Sequence, residues 1–211
     1  MLLALGLACA CGVAWFAGSH VATAQAGLVF PGGPLTHDTL LGRLRSDPIT
    51  QVRPVGTTSV VLKVRSGEAA LGAYRPAATT HPRGHLHEIA AYRIAELLGL
   101  DNVPPTVSRT VATSELQRTL DPAYEDRWQG LRERLIVDSV GSTRGAMTYW
   151  IPSMRELGLD QPDALREWSA KLRQGSRMES SDFPPSLLRD LSNCVLFDYL
   201  IGNTDRFSGA N

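Results

Sequence analysis

The chain ends on a polar loop that carries an isolated aspartate directly after an apolar helix. Apolar side chains recur at the three-and-four spacing of a buried helical face up to Leu200, and Gly202 supplies the left-handed residue that ends such a helix. Asn203, Thr204 and Asp205 bond readily to nearby backbone, which favours a rigid loop fixed to a core helix. A catalytic carboxylate needs such a support.

Phosphoryl transfer is the chemistry that suits this loop. The reaction needs a carboxylate to receive the proton of the attacking hydroxyl, oxygen ligands for magnesium, and cations on the phosphates. Asp205 is our candidate for the carboxylate, and Asn211 or Asn203 is the candidate metal ligand. A turn that merely caps the helix is the alternative, because short motifs often arise by chance.

Two cations and one acid upstream are notable for their predicted positions on a hairpin and on the helix after it. Apolar alternation at 60–65 and a return strand at 69–74 predict an antiparallel hairpin that carries Lys63 and leads into Arg75. Glu88 lies near the start of the next predicted helix, and an unpaired buried carboxylate is expensive. Arg75 is therefore its expected partner. Exposed strand cations and a Glu favoured by the helix dipole are the alternatives.

Length and composition fit a globular chain with no charge bias. The chain has 211 residues, is 43% hydrophobic, and balances 21 Lys and Arg against 21 Asp and Glu. A nucleic-acid partner is not predicted, because the chain has no basic excess to bind phosphate backbones. A core of substantial size is expected, in one domain or two small lobes.

The first residues predict export. Residues 2–17 are almost unbroken apolar sequence, and 22–24 have the small-x-small form of a signal-peptidase site. We expect a signal peptide at 1–24 and then a linker at 25–50 with a short helix at its leucines. An uncleaved signal anchor is the alternative, and it is the predicted route to any membrane contact.

Cysteine and histidine usage gives no metal or disulfide pattern. Cleavage of the signal would leave Cys194, which lies on an apolar helix face and is predicted to be a small core residue. His81, His85 and His87 form a local cluster that we interpret as a solvated helix entry rather than a metal site.

The middle of the chain predicts further strands and a helix. Strands are expected at 106–113, 135–140 and 146–150, and an amphipathic helix at 162–174.

Four blocks of the chain, in order, resemble the secreted atypical kinases, which include the four-jointed proteins and the Golgi casein kinase group. The blocks read GAYRP at 72–76, HEIAAYR at 87–93, NVPPTVSR at 102–109 and FDYLIGNTDR at 197–206. The resemblance implies an α+β, atypical protein-kinase-like fold, with a β-rich N-lobe at 51–150 and the first helices of a C-lobe at 151–211. Such a fold would be incomplete within this chain.

The resemblance also implies an activity and a role for each candidate residue. The family moves the γ-phosphate of ATP, with Mg²⁺ or Mn²⁺, to a hydroxyl of a secreted protein or a glycan. Arg75 stands where the family has a phosphate-binding lysine, with Glu88 as its partner and Lys63 as a weaker substitute. Asp205 would be the catalytic base. Asn211 would be a metal ligand, although it follows Asp205 by six residues rather than five.

Two alternatives to an active kinase stay open. The chain stops before any strand that would supply a second metal carboxylate, so we expect a C-terminally truncated product, and a pseudokinase that binds nucleotide or a partner is the second hypothesis. A HipA-like or phosphoinositide-kinase-like enzyme is the third, and the export signal argues against it. In the kinase interpretation, adenine is expected near 149–151.

Overall fold

The computed structural model describes residues 35–56, 58–100, 102–152, 157–174, 183–204 and 206. The chain divides into two compact units between residues 153 and 154. The first unit contains a β-sheet flanked by helices, and the second contains two helices.

The sheet of the first unit has five antiparallel strands. They are β1 (Gln51–Pro54), β2 (Leu62–Ser66), β3 (Ala69–Pro76), β4 (Thr106–Ala112) and β5 (Ser142–Tyr149). Their order in the sheet is β1-β2-β3-β5-β4. β2 and β3 form the predicted hairpin, in which Lys63 lies opposite Ala73, and β3 pairs with β5 so that Arg75 lies opposite Ala146.

The two faces of this sheet differ in character. Residues opposite each other across a strand pair share a face, and successive residues alternate between faces. One face holds much of the core, including Leu62, Tyr74, Met147 and Val107, which lie in register across four strands. The other face, called the charged face below, carries Arg53, Lys63, Arg75 and Arg144.

Helices cover the sheet in the first unit. They are α1 (His37–Ser46), α2 (Gly84–Leu97), α3 (Thr113–Arg118) and α4 (Trp128–Arg134), with a 3-10 turn at Pro122–Arg127 before the last. α1 and α2 both pack on β3, β4 and β5. The short helix predicted within the linker is confirmed, and its three leucines, Leu40, Leu41 and Leu44, are buried.

The strand predicted at 135–140 is wrong. Leu135 forms only an isolated bridge to Ala78. The chain then turns, because the Asp138 Oδ1 atom accepts a hydrogen bond from the Ser142 backbone N–H at 2.8 Å. β5 therefore begins at Ser142, four residues earlier than predicted, and pairs on both sides within the sheet.

The second unit is a pair of helices with its own small core. Helix α5 (Pro162–Gln174) has the predicted bounds, and α6 (Pro185–Ile201) leads to the terminal loop. Their core consists of Trp168, Phe183, Leu188 and Leu191. Cys194 on α6 is buried, as predicted. Within the described ranges, none of the helices combines the length and apolar sequence that a membrane crossing needs.

Candidate functional site

Arg75 and Glu88 form the ion pair expected from the sequence. The Arg75 Nη1 atom donates to the Glu88 Oε1 atom at 2.7 Å, and the two side chains are only 4% and 8% exposed. Arg75 comes from β3 and Glu88 from the second turn of α2, so the pair joins the helix to the sheet. Because the Arg75 side chain is buried, the alternative that Arg75 is an exposed cation of the strand is wrong. The phosphate-binding role of the pair stays a prediction.

A serine from the segment between β1 and β2 also holds Arg75. The Arg75 Nη2 atom donates to the Ser59 Oγ atom at 3.3 Å. The guanidinium has five N–H donors in a planar fork, and these two bonds use two of them. Its plane is therefore set by two partners from different parts of the chain, which is the pre-organisation that an anion-binding group requires.

Lys63 lies on the same face of the sheet as Arg75. Its Nζ atom is 4.0 Å from the centroid of the Trp150 ring, a cation–π contact. Burial, followed by the charges of Arg53 and Arg65, lowers the pKa of the Lys63 ammonium. Arg53 lies directly opposite Lys63 in the pairing of β1 with β2. Arg53, Lys63 and Arg75 thus share one face of the sheet, and Lys63 also contacts the Trp150 ring.

The three histidines at the start of α2 differ in exposure. His87 is exposed, as a solvated helix entry predicts, but His85 is 9% exposed, so that prediction is wrong for His85. Burial, then the charges of Arg144 and His87, lowers the pKa of the His85 imidazole. In the part of the chain that the structure describes, no three His, Cys, Asp or Glu side chains are grouped as a metal site.

A buried aspartate that the sequence analysis passed over organises the terminal loop of the second unit. Asp198, in the last turn of α6, accepts hydrogen bonds from the Arg206 Nη2 atom at 2.8 Å, from the Arg206 Nε atom, and from the Asn203 Nδ2 atom at 2.9 Å. The helix ends at Gly202, whose φ of 68° is the predicted left-handed conformation.

An open pocket lies on this loop. Its lining includes Asp198, Asn203, Thr204 and Arg206. The Asn203 Oδ1 atom is buried and has no hydrogen-bond partner among the described residues. An amide oxygen of this kind is a suitable ligand for a hard divalent cation. Asp205 and Asn211, the predicted base and metal ligand, lie outside the described residues.

Solved structures that include Golgi casein kinases share the fold, and three of them are compared below. A Golgi casein kinase with Mn/ADP bound matches with a TM-score of 0.52 and 17% identity, over 81% of this chain and 51% of that one. A second Golgi casein kinase structure matches with a TM-score of 0.52 and 18% identity, over 81% and 50%. Hydra Fam20 with sugar matches with a TM-score of 0.54 and 18% identity, over 79% and 59%. The fold is that of an atypical kinase, as predicted.

The family follows from the sequence match. Residues 61–210 match the model of the four-jointed box protein middle domain, and the chain belongs to that family. The chain spans 50–59% of the length of the three solved structures. A comparison with the curated proteins gave no match.

Proposed function

We propose that this protein is a phosphotransferase that moves the γ-phosphate of ATP to a hydroxyl of a secreted protein or a glycan. The observation that carries the proposal is the buried ion pair of Arg75 with Glu88 on the charged face of the sheet. A guanidinium held at 2.7 Å by a carboxylate and steadied by a serine hydroxyl has a fixed orientation, which supports a role in phosphate binding.

Each residue has a role in this proposal. Arg75 orients the ATP phosphates, because a planar guanidinium binds phosphate oxygens through two parallel N–H groups. Glu88 fixes the Arg75 side chain, and Lys63 adds a second cation on the same face. The aromatic ring of Trp150 marks the end of the strand where adenine is expected. Asp205 receives the proton of the acceptor hydroxyl.

A divalent cation fits the donor set of the terminal loop. The buried Oδ1 atom of Asn203 suits Mg²⁺ or Mn²⁺, and Asn211 is the second candidate ligand. In phosphoryl transfer, such a cation neutralises charge on the transferring group. The Golgi casein kinase that shares this fold was solved with Mn/ADP.

We also propose that the protein is exported through the secretory pathway. The segment at 1–24 either directs this export or stays uncleaved and anchors the protein to the membrane.

A pseudokinase is the second candidate function. The observation that favours it is the identity of residue 75, where arginine replaces the lysine that the family resemblance implies. Arginine is longer, planar and engaged with both Glu88 and Ser59, so it presents different donors to a nucleotide. In this case the protein binds ATP, or a partner protein, without transferring phosphate.

Turnover separates the two functions. ADP formation from ATP should require Mn²⁺ or Mg²⁺ and should fall at least ~100-fold in Asp205→Ala, because general-base catalysis commonly contributes a factor of this size. The matched control is Asp163→Ala, since Asp163 is an exposed carboxylate on α5. Equal turnover in the wild type and Asp205→Ala would remove the enzyme proposal. Nucleotide binding without turnover would favour the pseudokinase.

A further inference from the structure

We infer that Asp198 is a positioning residue that holds the terminal loop in the geometry needed for phosphate transfer. This inference rests on the proposed function, in which Asp205, a residue of the same loop, is the catalytic base. Asp198 belongs to α6, and its hydrogen-bond partners Asn203 and Arg206 come just after that helix ends.

Helix formation alone does not explain an aspartate at this position. Residue 198 lies in the last turn of α6, where the backbone carbonyls give the helix its negative end and a carboxylate is unfavourable. No basic residue lies in that last turn to offset the charge. A carboxylate also cannot cap a helix C-terminus, because the groups left over there are acceptors. Gly202 already ends the helix.

Burial adds to the cost of this carboxylate. The Asp198 side chain is 8% exposed and that of Arg206 is 14% exposed. A charge is retained at such depth only when it is paired and its remaining lone pairs are bonded. Arg206 supplies a forked pair of N–H groups and the Asn203 amide supplies a third donor, so the carboxylate is satisfied entirely from the loop.

The contacts anchor the chain on both sides of residue 205. The Asn203 backbone N–H donates to the Asp198 carbonyl oxygen at 2.8 Å, and the Asn203 side chain donates to the carboxylate of the same residue. Arg206 is bound by that carboxylate through two nitrogens. Asn203 and Arg206 lie two residues before and one residue after Asp205 in the sequence. A displacement of about 1 Å at a reacting group can reduce turnover ~100-fold.

The test compares Asp198→Asn with wild type, Asp205→Asn and the exposed control Asp163→Asn, all in the full-length protein. ADP formation is measured with ATP and Mn²⁺, and kcat is expressed per nucleotide-binding site counted by calorimetry. We expect kcat of Asp198→Asn, measured at saturating ATP and Mn²⁺, to fall ~10–100-fold, because the loop that carries the proposed base loses its anchor. Arg206→Lys keeps the positive charge but loses the two parallel N–H donors of the guanidinium. Its kcat should therefore lie between those of wild type and Asp198→Asn.

A second readout distinguishes positioning from simple loss of stability. Backbone hydrogen exchange at Asn203 should accelerate ~10-fold or more in Asp198→Asn, whereas exchange at Leu191 in the helical core should change much less. Equal acceleration at both residues would mean that the substitution destabilises the whole unit, and would overturn the inference.

The outcomes also separate this inference from the proposed function. Wild-type kcat in Asp198→Asn, with turnover still lost in Asp205→Asn, would overturn the positioning role alone. Absence of turnover in the wild type, or no effect of Asp205→Asn, would overturn both.

Discussion

Replacing Glu88 by alanine leaves the Arg75 guanidinium, 4% exposed, without the carboxylate that now lies 2.7 Å away. An uncompensated buried charge of this kind costs about 3–5 kcal/mol of folding free energy. For a chain of this length, each kcal/mol lowers Tm by ~2–4 °C. Glu88→Ala should therefore unfold ~6–20 °C below wild type in a calorimetric scan.

The double variant Arg75→Met with Glu88→Leu tests the reason for that loss. It removes both charges and fills the space with apolar side chains, so its stability should return to within about 1 kcal/mol of wild type. Glu68→Ala is the control, because Glu68 is fully exposed and pairs with Arg65 only at 3.7 Å. A Glu88→Ala effect as small as that of Glu68→Ala, or a double variant no more stable than Glu88→Ala, would show that no costly buried charge is left in Glu88→Ala.

Two further substitutions probe the first unit. In Gly145→Ala, the added Cβ would lie 2.6 Å from the Tyr74 Cζ atom and 2.7 Å from the Arg75 carbonyl oxygen, so urea denaturation should show a loss of ~1–3 kcal/mol. Gly130→Ala, with nothing within 4 Å, should instead stabilise α4 by ~0.5–1 kcal/mol, and a loss of stability there would contradict the packing. The lowered pKa of His85 means that the folded state binds fewer protons than the unfolded state below about pH 6.5, so stability should fall as pH drops through that value. His85→Leu should reduce this fall in Tm, and an unchanged slope would show that other groups cause it.

The pairing of Arg75 with Glu88 could be predicted, because an unpaired carboxylate in the protein interior has a high free-energy cost. A carboxylate on the buried side of a helix needs a cation, and the preceding strand offers one at its end. The position of Lys63 could not be predicted, because its contact with Trp150 depends on which residues of β2, β3 and β5 lie opposite each other. Register is a property of the assembled sheet.

The errors also have physical causes. Residues 135–140 are rich in β-branched side chains, which predict a strand, but Asp138 binds the backbone ahead of it and makes a turn, and Val140 is 82% exposed. Local hydrogen bonding thus outweighed β propensity. Asp198 was passed over because a carboxylate in a last helical turn looks unfavourable until the loop that binds it is seen.

Calorimetric titration of the protein with ADP in the presence of Mn²⁺ measures whether the charged face of the sheet binds the phosphates of a nucleotide. The double variant Arg75→Met with Glu88→Leu suits this measurement, because it is expected to stay folded while losing the guanidinium. Wild type should bind ADP, and the double variant should bind it at least ~10-fold more weakly, since a charged hydrogen bond contributes about 1.5–3 kcal/mol. Equal affinity in the two folded proteins would contradict phosphate binding by this face.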